Sequence, residues 1–314
     1  MIEYDDGMDK KIAVIGYGAQ GRAQARMMHE SGLDVVVGVR ENGASWDAVS
    51  KDGLPRATIA EAAKQADIIH ILIPDEVQKE VYETEIKQHL TPGKTLSFSH
   101  GFAIVFEQIV PPKDVGVIMV SPKAPGPEAY QVYKDGFGVP ALVAVHQDIG
   151  DSRQVAMAMA KAMNFTKAGI IECSFAQETH ENLFSEQTVL CGGVTELIKT
   201  AFEVLVEKGY PPELAYFECF HQMKLIADVL QKEGLEGFWN VVSNTAEYGG
   251  LTRGKRVITP QTKEAMREIL AEVEDGTFAA EMLENLDSLP EMRKKERDHP
   301  LEIVGKKIRA MFQR

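Results

Sequence analysis

Hydrophobic positions follow two different patterns along this chain. In the first half, short apolar runs alternate with amphipathic stretches. The runs at 12–15, 34–39, 68–73, 95–99, 116–120, 141–145 and 168–172 read as buried strands. Between them, 21–31, 58–65 and 151–163 carry helical spacing. Such alternation predicts an α/β fold: a doubly wound parallel sheet with helices on both faces. From about Gln177 onward helical spacing dominates, at 181–208, 212–233, 260–275 and 278–286, and few β-branched runs remain. A domain boundary is therefore expected after Ala176, with residues 1–176 forming the sheet domain and 177–314 an all-helical one. The stretch 300–313 reads as a last, basic amphipathic helix.

Composition narrows the class. The formal net charge of -13 disfavours a nucleic-acid or anionic-membrane partner, since both want clustered Lys and Arg. No apolar run is long enough to span a bilayer, and the opening MIEYDDGMDKK has no apolar signal core. The three cysteines, Cys173, Cys191 and Cys219, make neither a Cys-x-x-Cys pair nor a disulfide framework. They read as thiols of a reducing cytoplasm.

Chemistry enters at Ile12-Ala13-Val14-Ile15-Gly16-Tyr17-Gly18-Ala19-Gln20-Gly21. A strand runs into a Gly-x-Gly-x-x-Gly turn that opens a helix, the form of a dinucleotide-binding turn with the pyrophosphate on the helix N-terminus. Glycine clusters also make ordinary turns; the flanking strand and helix favour the cofactor. The second strand ends in Val39-Arg40, where a carboxylate would suit NAD and an arginine suits the 2′-phosphate of NADP. Ser45 offers a further donor, while Glu41 opposes a phosphate. NADPH is expected, with NADH open. Asp75, Glu76, Val77 and Gln78 follow another strand end and should line the same cleft; alternatively, Asp75 only caps a helix.

Several ordered segments together resemble one family. They are Gly16–Gly21, Leu72-Ile73-Pro74-Asp75-Glu76-Val77-Gln78, Ser99-His100-Gly101-Phe102 and Ser121-Pro122-Lys123-Ala124-Pro125-Gly126. Further on come Leu183-Phe184-Ser185-Glu186-Gln187, Leu190-Cys191-Gly192-Gly193, Ala215-Tyr216-Phe217-Glu218-Cys219 and Ser243-Asn244-Thr245-Ala246-Glu247-Tyr248-Gly249. The chain resembles ketol-acid reductoisomerases of the short form over nearly its whole length. The resemblance implies a Rossmann-type first domain and a knotted helical second domain that dimerises. It implies NADPH at Gly16, Tyr17, Gly18, Ala19, Gln20, Gly21, Arg40, Ser45, Asp75, Glu76, Val77, Gln78 and Gly126. It places His100 and Lys123 in the active cleft and Ser243 on a substrate-binding serine. The implied reaction is alkyl migration in a 2-acetolactate-type acid followed by hydride reduction, on the route to branched-chain amino acids. In the family two magnesium ions carry the migration.

The chain departs from the family at the metal. The resemblance implies two pairs of carboxylates, each pair one helical turn apart; here the pairs read Asn182 with Glu186 and Glu218 with Gln222. Magnesium binds carboxylate oxygens in octahedral geometry, and a neutral amide cannot bridge two cations. At most one magnesium is expected, on Glu186 and Glu218, with Asn182 and Gln222 as weak ligands. Glu178, His180, Glu181 and His221 lie close enough in sequence to compensate, or they face solvent or cap helices. Elsewhere Pro127-Glu128-Ala129-Tyr130 replaces the family's His-Thr-Val-Arg, the segment Gly101-Phe102-Ala103-Ile104-Val105 stands where it has an Asn and a second His, and Gly43 replaces a serine. Three readings follow: a reductoisomerase with an unusual metal site, a relative that reduces a 2-keto acid or imine without migration, or an NADP-binding protein without turnover.

Overall fold

A computed structural model describes residues 8–312. Most of the opening acidic segment and Gln313 of the expected last helix lie outside the described residues. The chain divides into two compact units, one ending at Glu181 and one beginning at Asn182.

The first unit is built on one eight-stranded sheet of order β3-β2-β1-β4-β5-β6-β7-β8. The strands are β1 Ile12–Ile15, β2 Val35–Gly38, β3 Arg56–Ala57, β4 Ile68–Ile71, β5 Thr95–Phe98, β6 Gly116–Pro122, β7 Ala141–Gln147 and β8 Ile170–Glu172. The expected strands form at their expected places. Strand β3 was not legible, because two residues carry no period. Ile12 pairs in parallel with Val35 on one side and Ile68 on the other, so the strand order reverses about β1. The crevice outside the carboxyl ends of β1 and β4 is thus the switch point at which such sheets bind ligands.

The sheet is not wholly parallel, which corrects the sequence expectation: β7 runs antiparallel to β6. The Lys123 N–H donates to the Pro140 carbonyl at 2.8 Å, so the chain turns back at the end where β6 stops. Apolar residues pattern strands alike in either direction, so only this connection sets the direction.

Helices cover both faces. One layer holds α1 Ala19–Glu30, α2 Ala44–Lys51, α6 Gly126–Lys134 and α7 Ser152–Ala162, packed through residues such as Met27, Val49, Ala129 and Met159. The other holds α3 Ile59–Gln65, a π turn Tyr82–Ile86 that continues α4 Asp75–Val81, and the short α5 Phe102–Val105. Thr58 closes α3 with a full capping box to Glu61. The short α8 Phe165–Ala168 precedes β8, and α9 Phe175–Ser185 leads out of the sheet unit.

The second unit is helical throughout its described residues: α10 Gly192–Glu207, α11 Pro212–Tyr216, α12 Met223–Val241, α13 Asn244–Val257, α14 Pro260–Glu274, α15 Thr277–Asn285, α16 Leu289–Asp298 and α17 Pro300–Phe312. The expected helix over 181–208 is interrupted by a π turn at Glu186–Leu190, and that over 212–233 by another at Phe217–His221. Gly192 and Gly193 explain the first break. A Cβ there would lie 2.2 Å and 1.9 Å from the Gln187 and Thr188 carbonyl oxygens, so the widened turn admits only glycine. Ile198, Phe202, Tyr216, Leu301 and Ile308 form a small core. Among the described residues no helix is long and apolar enough to cross a membrane.

Candidate functional site

The turn after β1 is shaped by three glycines with three separate reasons. Gly16 has φ +101, and a Cβ there would lie 2.7 Å from the Leu72 carbonyl oxygen. At Gly21 a Cβ would lie 2.4 Å from the Gly16 carbonyl oxygen, so the helix could not close on the strand. Gly18 is exposed and has no atom within 4 Å of its would-be Cβ, leaving an open backbone face at the N-terminus of α1. That combination fits a pyrophosphate.

A second wall comes from α6. A Cβ on Gly126 would lie 2.1 Å from the Ala19 carbonyl oxygen, so the N-termini of α1 and α6 meet in close contact. Gln20 Nε2 donates to the Ala124 carbonyl at 3.0 Å and ties the two loops together. Replacing Gly126→Ala is therefore expected to separate the loops and weaken NADPH binding by at least about tenfold. Cofactor fluorescence titration checks this, and an unchanged dissociation constant would remove Gly126 from the cradle.

The remaining cofactor candidates follow β2 and β4, in the loop after β2 and in α2 and α4. Arg40 is exposed just beyond β2, and its carbonyl accepts the Gly43 N–H at 3.0 Å across a turn in which Asn42 takes φ 57. Ser45 lies in the first turn of α2. Asp75 is the first residue of α4, whose N-cap is Pro74, so the reading of Asp75 as the cap does not hold. Glu76 and Val77 are exposed on the same turn. Gln78 donates to the Ile73 carbonyl and to Asp75, both at 3.0 Å, while its own buried carbonyl oxygen has no partner. An orphaned buried acceptor beside the crevice fits a ligand that donates a hydrogen bond. Tyr17 turns its ring inward, with the hydroxyl donating to Asp52 at 2.7 Å. Arg22 grips the same carboxylate through Nε at 2.7 Å and a second nitrogen at 2.9 Å. Burial, reinforced by Asp52, pushes the Tyr17 phenol well above its ordinary range. Tyr17 thus braces the turn against the end of α2.

At the ends of β5 and β6 stands an acid–base cluster. Its centre is Glu178 on α9, 2% exposed. The carboxylate accepts from His100 Nδ1 at 3.0 Å, the Gly101 N–H at 3.3 Å, Ser121 Oγ at 3.0 Å and Lys123 Nζ at 2.8 Å. Lys123 also reaches Ser121 Oγ at 3.1 Å. Burial alone would raise the carboxyl, but His100 and then Lys123 outweigh it and hold it at about 2. An ionised carboxylate only accepts, so the proton between it and His100 belongs on Nδ1. α9 approaches closely because residue 101 is glycine; a Cβ there would lie 2.3 Å from Thr179 Oγ1.

Of the two readings the sequence leaves open for Glu178, compensation at the metal or a solvent-facing or capping place, burial corrects the second. Phe175, Glu178, Thr179 and Leu183 are all buried, spaced as one face of α9. That apolar frame was the available signal for an inward carboxylate. Ser121 and Asp52 gave no comparable signal.

The metal candidates stand differently. Asn182 Nδ2 donates to Glu186 at 3.4 Å, and Gln222 Nε2 donates to Glu218 at 2.8 Å. Each surviving carboxylate is bonded to the amide that replaced its fellow acid. Among the described residues no three His, Cys, Asp or Glu side chains gather as a metal site. The donor set does not fit two magnesium ions, which need bridging anions. Glu186 and Glu218 each sit in a π turn, a local widening that recurs at functional sites. Ser243 caps α13, its Oγ accepting the Ala246 N–H at 3.2 Å.

A doubly wound sheet with a dinucleotide cradle and an acid–base pair at its strand ends defines a nicotinamide-dinucleotide-dependent oxidoreductase. Comparison with known proteins sharpens the class. Residues 8–169 match the family described as acetohydroxy acid isomeroreductase, NADPH-binding domain, and residues 175–314 match ketol-acid reductoisomerase, C-terminal domain. A ketol-acid reductoisomerase (NADP(+)) of Methanocaldococcus jannaschii is 56% identical over 315 residues, 99% of this chain and 96% of the relative. One from Methanosphaera stadtmanae is 53% identical over 98% of this chain and 96% of its own. A solved NADH-preferring ketol-acid reductoisomerase from an uncultured archaeon superposes with a TM-score of 0.94 at 52% identity, covering 99% of this chain and 97% of its own. The chain belongs to the ketol-acid reductoisomerase family.

Proposed function

We propose that this enzyme reduces 2-acetolactate-type keto and hydroxy acids in branched-chain amino-acid biosynthesis, with NADPH as the preferred donor and with the isomerisation half-reaction weakened. The observation that carries the reductase reading is the Glu178-held pair of His100 and Lys123 beside an intact dinucleotide cradle. Bound NADPH supplies the hydride. The chain supplies the rest. Lys123 presents a cation to the carbonyl oxygen as negative charge grows there, and Lys123 or His100 delivers the proton. Glu178 fixes both groups and keeps the proton on His100 Nδ1.

A second reading, reduction without migration, is favoured by the amide–carboxylate pairs. Migration in the family draws on metal ions as Lewis acids, and the residues present do not fit the pair. One magnesium on Glu186 and Glu218, with Asn182 and Gln222 as neutral helpers, is the most this donor set supports. Ser243 would contact substrate through its remaining capacity as a donor.

The preference for NADPH rests on Arg40 and Ser45 at the mouth of the cradle. The solved relative at 52% identity is described as NADH-preferring, so the family accepts both cofactors. Arg40→Gln is expected to weaken NADPH binding about tenfold while leaving NADH within about threefold. Equal loss for both cofactors would refute a phosphate contact.

Self-association of the helical unit is part of the proposal. Leu225, Leu230, Leu235, Val241, Tyr248 and Leu251 stand exposed on α12 and α13, more apolar surface than a lone domain normally leaves. The three cysteines form no disulfide, which suits a cytoplasmic enzyme. No nucleic-acid or membrane partner is proposed. The deciding assay follows NADPH oxidation with 2-acetolactate and magnesium, and separately with 3-hydroxy-3-methyl-2-oxobutanoate. Turnover on the first supports the full reaction. Turnover on the second alone supports reduction without migration, and binding of NADPH with turnover on neither refutes both.

A further inference from the structure

A second polar network runs through the sheet unit, away from Glu178. Gln24 is fully buried on α1, on a face otherwise lined by Ala23, Met27 and Met28. Its Nε2 donates to Ser99 Oγ at 2.9 Å and to Gln20 Oε1 at 3.1 Å. Its Oε1 faces His70 Nε2 at 2.9 Å, in the middle of β4. Burial lowers the His70 imidazole to about 4, so it is neutral at physiological pH. The Gln24 amide oxygen can only accept, so the proton between the two belongs on His70 Nε2. Both N–H groups and the carbonyl of Gln24 are therefore in use.

The network ends where the chemistry begins. The Ser99 hydroxyl donates a hydrogen bond to the Val120 carbonyl at 2.8 Å, and Ser99 directly precedes His100. Val120 directly precedes Ser121. Gln20 lies in the dinucleotide turn and holds the Ala124 carbonyl, next to Lys123, at 3.0 Å. One buried amide thus touches the cofactor turn, the strand end that carries His100 and, through one further bond each way, the loop that carries Lys123.

We propose that Gln24 is a positioning residue, setting the distance between the bound dinucleotide and the His100–Lys123 pair. This rests on the reductase reading and deepens it. A methionine would fill the same space among apolar neighbours and satisfy packing alone. A buried amide is tolerated only when every polar group is bonded, so its contribution here is direction rather than burial. Hydride transfer is sensitive to displacements well under the size of an atom, so loosening the register lowers turnover before it lowers binding.

The test compares Gln24→Met, Ser99→Ala and the double variant with the parent enzyme. The expected result is a kcat for reduction of 3-hydroxy-3-methyl-2-oxobutanoate lowered about tenfold or more, with the keto-acid KM and the NADPH dissociation constant within about threefold. The double variant should be no worse than the more damaging single one, since both cut the same network. In the NADPH complex, the imidazole resonance of His100 should shift in each variant. Should Gln24→Met fail to fold, Ser99→Ala carries the test alone. Unchanged kcat, or kcat and cofactor affinity falling together, would overturn the positioning role. If the parent enzyme turns over no keto acid, the reductase reading falls. The His100 resonance then still decides whether Gln24 sets that histidine's place.

Discussion

Restoring both acids, Asn182→Asp with Gln222→Glu, is expected to raise magnesium affinity by at least about a hundredfold and to raise acetolactate-dependent NADPH oxidation with it. The reasoning is charge balance. Two divalent ions carry four positive charges, and the present pairs offer two carboxylates. The amide nitrogens also compete directly, since Asn182 and Gln222 donate to Glu186 and Glu218, occupying oxygens a metal would need. Replacing each amide removes that donor and adds an anion one turn from another anion. Each added carboxylate attracts a divalent cation where the amide offered only a neutral carbonyl oxygen, and the hydrogen bond given up for it is an exposed one of small worth. Titration calorimetry with magnesium, or manganese as a paramagnetic stand-in, reads the affinity. No change in either metal binding or acetolactate turnover would show that these two pairs do not form one site. Conversely, two tightly held magnesium ions in the parent chain would overturn the account of a weakened isomerisation.

The second large effect is expected at Glu178. Glu178→Gln keeps shape and removes the anion that His100 and Lys123 share. It places a neutral amide, with two donors of its own, against an ammonium and an imidazole N–H. Losing one partner of a buried ionic cluster costs about 3–5 kcal/mol, and reductase kcat should fall by about two to three orders of magnitude. A pH dependence separates this from simple misfolding. The Glu178 carboxyl is held at about 2 against an ordinary 4.5. A depressed carboxyl stabilises the fold fully above its unfolded value and loses that contribution as pH falls through the folded one. The parent should therefore exceed the variant by roughly 3 kcal/mol at neutral pH, with the gap closing between about 4.5 and 2. Urea unfolding at pH 7 and at pH 3 measures it. A gap that is the same at both would mean that the carboxylate is not ionised in the cluster.

Burial makes this cluster strong. Glu178 has four donors and almost no water, so each contact is weakly screened. By contrast the Asn182–Glu186 and Gln222–Glu218 contacts lie at exposed positions, where water competes for the same atoms. The same residue types therefore do different things in the two places.

The dinucleotide turn was legible in the sequence because its requirements are local. Gly16 needs a positive φ, Gly21 needs room against Gly16, and a strand must precede them within a few residues. The strands at 12–15, 68–71 and 95–98 were legible for a similar reason, since burial on both faces favours short runs dominated by apolar residues. The amides at 182 and 222 were visible as residue identities, and charge balance follows from identity alone. Other features depend on partners distant in the chain. The direction of β7 is decided by a carbonyl at Pro140, and the inward face of Glu178 by residues 55 to 78 positions away. Gln24 looks like any helical glutamine until His70 and Ser99 arrive beside it. The sequence by itself determined which chemistry could be present, because that depends on residue types and short spacings. The tertiary structure decided which side chains work together, because hydrogen bonds and burial depend on distances that only the folded chain fixes.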